Sequence, residues 1–314
     1  MSTREPGSVV TVGTFDGIHL GHWAILREIV CRARRDHRRS VLVTFEPHPL
    51  EVVNPEAAPR LLTVGDERRE ILAQAEVDLL VFLPFTKALS HYSPEMFVRF
   101  LIDRFHMQEL VIGHDHGFGR GRSGDETLLR RLGKEQGFTV DVIGAVTAKG
   151  HPASSTLVRR AVAGGDLATA AELLGRPYSI TAPVIHGANR GKEIGYPTIN
   201  LSLANPRKLL PPDGVYAVRA EWRNGASGGM MHQGPRPTFG EANRSLEVHL
   251  FGVDADLYGM PVKISWDTRL RDIEDFPSVE ALKAQLDQDL AAAKRALTGP
   301  NGPASYHSSP ASDC

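Results

Sequence analysis

One glycine- and histidine-rich turn, Gly13-Thr14-Phe15-Asp16-Gly17-Ile18-His19-Leu20-Gly21-His22, constrains this chain more than any other stretch. It follows an apolar run, Val9-Val10-Thr11-Val12, that reads as a buried strand, and it leads into a helical pattern beginning near Trp23. Gly13, Gly17 and Gly21 allow a tight turn and let backbone amides approach a ligand closely. The helix that follows aims its free N–H groups and the positive end of its dipole back at the turn, which makes an anion site. His19 and His22 flank a glycine, so both rings can face one small volume and suit a phosphate chain. The spacing matches neither the Walker loop nor the dinucleotide fingerprint.

At 314 residues the chain is long enough for two domains. A formal net charge of −1 gives no electrostatic reason to expect nucleic acid or a membrane surface as a partner. Arg32, Arg34, Arg35, Arg38 and Arg39 read as the solvated end of the first helix, favoured there by the dipole. With only Cys31 and Cys314, a disulfide framework and a Cys-based zinc site are excluded. The start has no apolar signal core, and no run reaches the ~18 apolar residues of a membrane span, so the expected location is the cytoplasm.

The first half alternates short apolar runs with helical stretches. Val41–Phe45, Leu79–Leu83, Leu110–Gly113 and Val140–Ile143 read as strands covered on both faces. Between them Trp23–Arg35, Asp66–Ala75, Pro94–Phe105 and Asp125–Gln136 read as helices, the third opened by the Ser93-Pro94-Glu95 start signal. This alternation predicts an α/β fold with a parallel, doubly wound sheet and ligands at the carboxyl ends of its strands. From Ser155 to Leu174 the pattern is helical, broken at Gly164-Gly165. Beyond it come β-type runs at Tyr178–Val184, Gly214–Trp222, Leu246–Val253 and Val262–Trp266, an all-β domain expected to form a small barrel. An amphipathic helix from Ser278 to about Leu297 closes it, and residues 299–314 are expected to be a disordered tail. The domains expected are therefore 1–176 and 177–298.

Three further polar or glycine-rich stretches fall where loops would line the mouth of the first sheet. They are Phe45-Glu46-Pro47-His48-Pro49, the run from Gly113 to Gly124 that contains Asp115, and Ser154-Ser155-Thr156-Leu157-Val158-Arg159. Singly, each has an ordinary structural reading as a proline turn, a loop cap or a helix surface charge. Their order at strand ends joins them. The opening turn resembles the GxFDGxHxGH signature of nucleotidyltransferases, which attack the α-phosphorus of a nucleoside triphosphate and expel pyrophosphate. That attack needs no protein nucleophile. It needs aligned reactants, neutralised oxygens and donors on the developing charge. His19, His22, Arg159 and the amides around Ser155 and Thr156 are the candidate donors.

In the β domain, Gly187, Gly191 and Gly195 are spaced by four and are followed by Pro197-Thr198-Ile199-Asn200. The glycines give a flexible loop that can approach phosphate. Thr198 and Asn200 alternate with Ile199, so both can face one way and ligate a Mg²⁺ shared with ATP oxygens. Glu247 points away from Leu246, Val248 and Leu250. Alone it is a solvent-facing strand carboxylate; beside a bound hydroxyl it could accept the proton as that oxygen attacks a γ-phosphorus.

Taken together the motifs resemble the bifunctional bacterial riboflavin kinase/FAD synthetases over nearly the whole chain. The likeness implies an N-terminal nucleotidyltransferase domain that transfers AMP from ATP to FMN, and a C-terminal six-stranded kinase barrel with a terminal helix that converts riboflavin to FMN. It implies that His19 and His22 hold the ATP phosphates, with Gly13, Phe15, Gly17, Gly21, Ser155, Thr156 and Arg159 around them. Phe45, Pro47, His48 and Asp115 would line the flavin and adenosine side. Thr198 and Asn200 would sit on the metal, Glu247 would act as base for the ribityl 5′-hydroxyl, and Arg271 would lie near the flavin. ATP, Mg²⁺ and FMN or FAD are then the expected ligands, with oligomeric state left open. The chain departs from the family pattern at Thr14, His116-Gly117, His232-Gln233 and Asp275. A chain with one working module, one acting on a modified flavin, a non-enzymatic flavin- or nucleotide-responsive regulator and a cytidylyltransferase acting on an alcohol phosphate are the alternatives.

Overall fold

The computed structural model describes residues 6–113, 124–148, 150–187, 190–203, 205–236 and 241–298. They divide into two units, one holding the residues up to Leu61 with Arg68–Ser155, the other Leu62–Glu67 with the chain from Thr156 onward. The expected tail at 299–314 lies outside the described residues.

The first unit is built on five parallel strands, β1 (Ser8–Val12), β2 (Arg39–Glu46), β3 (Leu79–Pro84), β4 (Met107–Gly113) and β5 (Thr139–Ile143). Their order, β3-β2-β1-β4-β5, reverses direction at β1, the point where α/β sheets open a crevice for ligands. Its helices are α1 (Leu20–Arg35), α2 (Pro49–Val53), α3 (Gly65–Ala73), α4 (Lys87–Ser90), α5 (Pro94–Phe105) and α6 (Glu126–Gln136). A two-stranded ribbon, β6 (Thr147–Ala148) with β7 (His151–Pro152), follows.

Neighbouring strand residues turn to opposite faces, and both faces are buried. Val9 and Leu42 pack with Leu26, Ile29 and Leu72. Val10, Val12 and Val41 pack with Phe97, Leu101 and Leu129 on the other side. α5 spans the range expected from its start signal, with Ser93 Oγ accepting from Met96 N at 3.3 Å. The Asp125 side chain caps α6 in the same way, at 2.9 Å from Leu128 N. Two expectations shift. α1 starts at Leu20 rather than Trp23, which makes His19 its N-cap residue. Arg32 is not a solvated helix-end charge: only 17% of its side chain is exposed, and it binds Glu28, Glu109 of β4 and Asp141 of β5.

After α7 (Ser155–Ala163) and α8 (Leu167–Leu174), separated at Gly164-Gly165 as expected, the second unit closes six antiparallel strands into a barrel. They are β8 (Ser179–Ile185), β9 (Ile199–Leu201), β10 (Gly214–Trp222), β11 (Gly225–Arg236), β12 (Glu241–Leu250) and β13 (Pro261–Arg271), in ring order β10-β11-β12-β9-β8-β13. A short α9 (Arg190–Glu193) precedes β9, and α10 (Val279–Thr298) ends the unit. Ile180, Val184, Tyr216, Met231, Val248, Ile264 and Trp266 fill the barrel as buried side chains. Outside it, Ala293 of α10 packs on Ala217 and Met230.

Two buried polar contacts hold this unit. Gln233 sits fully enclosed, donating to Pro211 O at 2.7 Å and accepting from Trp266 Nε1 at 3.1 Å. Lys208 Nζ lies 2.9 Å from both oxygens of Glu67 and also donates to Leu62 O and Ser179 O, with side chains only 1% and 4% exposed.

Candidate active sites

The turn after β1 carries three left-handed residues in four, Phe15 (φ 45°), Gly17 (φ 82°) and Ile18 (φ 41°). Left-handed backbone is costly for a β-branched isoleucine, and such strain collects at functional sites. The turn delivers His19 to the N-terminus of α1 and His22 to its first helical turn. Their rings stack with centroids 3.7 Å apart and planes 23° apart, and Phe15 backs His22 at 4.7 Å. His19 is 8% exposed and makes no capping bond to the helix with its side chain. Gly21 permits this packing, because a Cβ there would lie 3.1 Å from the His19 ring and 3.3 Å from Ala153 O. The geometry places two imidazoles at the positive end of a 16-residue helix, beside the sheet's switch point.

The other expected residues of this site sort into three groups. Ser155 is brought to the turn, its hydroxyl donating to Asp16 O at 2.8 Å. Thr156 and Arg159 follow it in α7, the first exposed and the second half-buried. Phe45, next to last in β2, is a 9%-exposed member of the core, edge-on to Phe85 at 5.3 Å. His48, past Pro47, uses Nδ1 to accept from Leu50 N at 3.2 Å and so caps α2. Asp115 and the His116-Gly117 departure lie outside the described residues.

One residue of this region carried no signal in the sequence. Arg68 of α3 donates to Phe45 O at 3.0 Å and also to Thr14 O and Thr44 Oγ1, while Thr44 Oγ1 itself donates to Thr14 O at 3.1 Å. Beside it in sequence, Arg69 pairs with Glu46 at 2.9 Å in an exposed position and lies 4.9 Å from the Phe82 ring centroid. Nothing local separates the two arginines.

In the barrel, register assembles the second site. Asn200 on β9 pairs with Glu247 on β12, which pairs with His232 on β11, and all three turn outward because Leu201, Leu246 and Val248 turn inward. The carboxylate of Glu247 accepts from Ser245 Oγ at 3.3 Å. Burial pushes the His232 imidazole below its ordinary pKa, opposed by the charge of Glu247. The glycine loop closes on this row. A Cβ on Gly187 would fall 2.1 Å from Asn200 Nδ2, and one on Gly191 2.2 Å from Tyr196 O and 3.5 Å from Thr198 Oγ1. Gly195 turns the chain with φ 87°. Tyr196 pins the loop to α10 by donating to Asp287 Oδ1 at 2.5 Å; partial burial and that carboxylate push its phenol up to about 12.

Arg271, at the end of β13, is held by Asp289 of α10 at 2.8 Å and donates to Asp272 O at 2.9 Å, with its guanidinium 5.5 Å from the Phe276 ring centroid. Gln233, a departure from the family pattern, is a satisfied core crosslink rather than a site residue. Thr198 and Asn200 offer a hydroxyl and a carboxamide oxygen, hard donors of the kind that suit Mg²⁺.

A switch-point helix N-terminus bearing paired histidines, followed by a barrel in which a glycine loop and Thr198 precede the strand that carries Asn200, defines a two-module protein with one candidate site in each unit. The comparisons agree module by module: the FAD synthetase family profile matches residues 1–157 and the riboflavin kinase profile residues 174–297. The bifunctional riboflavin kinase/FMN adenylyltransferase of Pseudomonas fluorescens is 40% identical over 298 residues, covering 94% of each chain. That of Escherichia coli K12 is 36% identical over 287 residues, covering 91% of each. A solved structure described as a macrolide-efflux protein from Streptococcus pneumoniae is similar with a TM-score of 0.82 and 31% identity, covering 93% of this chain and 95% of its own. The chain belongs to the bifunctional riboflavin kinase/FMN adenylyltransferase family. Among the described residues no helix is long and apolar enough to cross a membrane.

Proposed function

We propose that this chain performs two ATP-dependent transfers on flavins: riboflavin plus ATP gives FMN and ADP, and FMN plus ATP gives FAD and pyrophosphate. The observations that support this reading are His19 stacked on His22 in the first unit and Asn200 in register with Glu247 in the second.

In the kinase reaction Glu247 accepts the proton of the ribityl 5′-hydroxyl as its oxygen attacks the γ-phosphorus. Thr198 and Asn200 hold Mg²⁺, and the Gly187–Gly195 loop lies along the phosphates. Mg²⁺, when bound, neutralises charge on the transferring phosphoryl oxygens. Arg271 stands near the flavin, oriented by Asp289.

In the adenylyl transfer His19 and His22 hold the triphosphate, with Gly13, Phe15, Gly17 and Gly21 shaping the turn. Ser155, Thr156 and Arg159 add donors from α7. Phe45, Pro47, His48 and Asp115 serve the flavin and adenosine side. A phosphate oxygen of FMN attacks the α-phosphorus, the bond to the β-phosphate oxygen breaks, and pyrophosphate leaves. The partners are these small molecules, with no role for nucleic acid or a membrane, and the cytoplasm is the expected place. Chromatography of products from purified protein given riboflavin, ATP and Mg²⁺ tests the reading. FMN followed by FAD supports it; FMN alone leaves the first module silent.

A further inference from the structure

Backbone carbonyls at the ends of strands lose their ladder partners as the chain leaves the sheet, and something else must satisfy them. At the carboxyl end of this sheet, Thr14 follows β1, and Phe45 is the next-to-last residue of β2, beyond Val43 where the pairing with β1 ends. Both carbonyls accept from the same guanidinium, that of Arg68. Thr44 completes the knot, accepting from Arg68 and donating to Thr14 O at 3.1 Å. The Phe82 ring lies 5.6 Å from the guanidinium, and buried Asp16 supplies an opposite charge nearby. A planar fork of donors fixes the distance between two acceptors, which a lysine's single ammonium cannot do in the same way.

The turn and the strand end so joined lead into the segments assigned above to the two substrates, the histidine turn to the triphosphate and the Phe45–His48 stretch to the flavin. We propose that Arg68 is a positioning residue for adenylyl transfer, stapling the histidine turn to the end of β2 at the separation the in-line attack requires. The inference rests on the reading of the turn as the adenylyl-transfer site. Its effect is on rate, because a displacement of about 1 Å between reacting groups can cost on the order of 100-fold.

The test uses the full chain with Arg68→Met and Arg68→Lys, and follows FAD formation from FMN and FMN formation from riboflavin in one preparation, with melting temperature alongside. For Arg68→Met the expected result is a fall in FAD-forming kcat of roughly 10- to 100-fold, with KM for ATP and FMN changed little and FMN formation kept. Arg68→Lys should fall between that variant and the parent. Wild-type FAD-forming kcat in Arg68→Met overturns the proposal, and so does a parallel loss of both activities with a lowered melting temperature, which would make Arg68 a part of the fold only. If Arg68→Met does not fold, Arg68→Lys decides: parent-like kcat overturns the proposal. His19→Ala is run beside them. If it retains FAD formation, the assignment of the turn itself fails, and this inference with it; if it loses FAD formation while Arg68→Met does not, only the role of Arg68 is lost.

Discussion

The imidazoles of His19 and His22 lie face to face, 3.7 Å between ring centroids, at the N-terminus of α1. A pair packed this closely acts on a ligand as a unit, so removing either ring disturbs the other. His19→Ala and His22→Ala are each expected to lower FAD formation from FMN by about 100-fold or more, the scale for losing a donor to developing charge. FMN formation should be unchanged in both. The double variant should lose less than the product of the single losses, as contacting residues are not additive. Product chromatography with each substrate checks all three.

Glu247 and Asn200 are cross-strand partners, and the first is assigned the proton. Glu247→Gln keeps the shape and removes the base, so riboflavin phosphorylation should drop by roughly 100- to 10,000-fold. FAD formation from supplied FMN should stay at the parent rate. Near-parent kinase turnover in this variant would take Glu247 out of the base role.

Gly191 faces a backbone oxygen that cannot swing aside, since a Cβ there would sit 2.2 Å from Tyr196 O. Gly191→Ala must therefore move the loop that carries Tyr196 and approaches Thr198. Kinase activity should fall at least tenfold while adenylyl transfer is kept, measured on the same protein.

The Lys208–Glu67 pair is buried on both sides. Glu67→Ala leaves an ammonium enclosed without its carboxylate, and breaking such a pair costs about 3–5 kcal/mol. Thermal unfolding should show this as a clear drop in melting temperature. Combining Glu67→Leu with Lys208→Met should recover part of it, because the ammonium is removed with its carboxylate while the buried Arg176 guanidinium, which also faces Glu67, stays charged.

His232 is held neutral mainly by burial, below its ordinary pKa. The unfolded chain therefore takes up a proton at about pH 6.5 that the native state refuses, so stability falls as pH drops below that value and is fully present above it. Urea unfolding followed by the fluorescence of Trp266, buried in the same barrel, should show the decline between about pH 7 and pH 5. His232→Asn should flatten the dependence, and an unchanged slope would remove His232 as its source.

The elements that depend on local pattern were legible before any coordinates. α5, announced by Ser93-Pro94-Glu95, occupies the expected residues, and the five parallel strands fall on the five apolar runs. β11 escaped, because Gly225, Gly228, Gly229, Gly234 and Pro235 give it little strand character. It is a strand because β10 and β12 pair with it on both edges. The start of α1 was misplaced by three residues, since His19-Leu20-Gly21-His22 offers no capping side chain to mark it.

By itself, then, the order of residues determined the two-module plan, the paired histidines, the Thr-x-Asn strand and the outward carboxylate, for all of these follow from spacing along a few consecutive positions. What only the tertiary structure decided was partnership at a distance. Arg68 and Arg69 are equivalent as letters, yet one joins the turn after β1 to the end of β2 and the other pairs at the surface. Lys208 meets Glu67 across 141 positions, and Asn200 meets Glu247 through barrel closure. Such contacts are set by where the chain returns in space, and period and propensity carry no record of that.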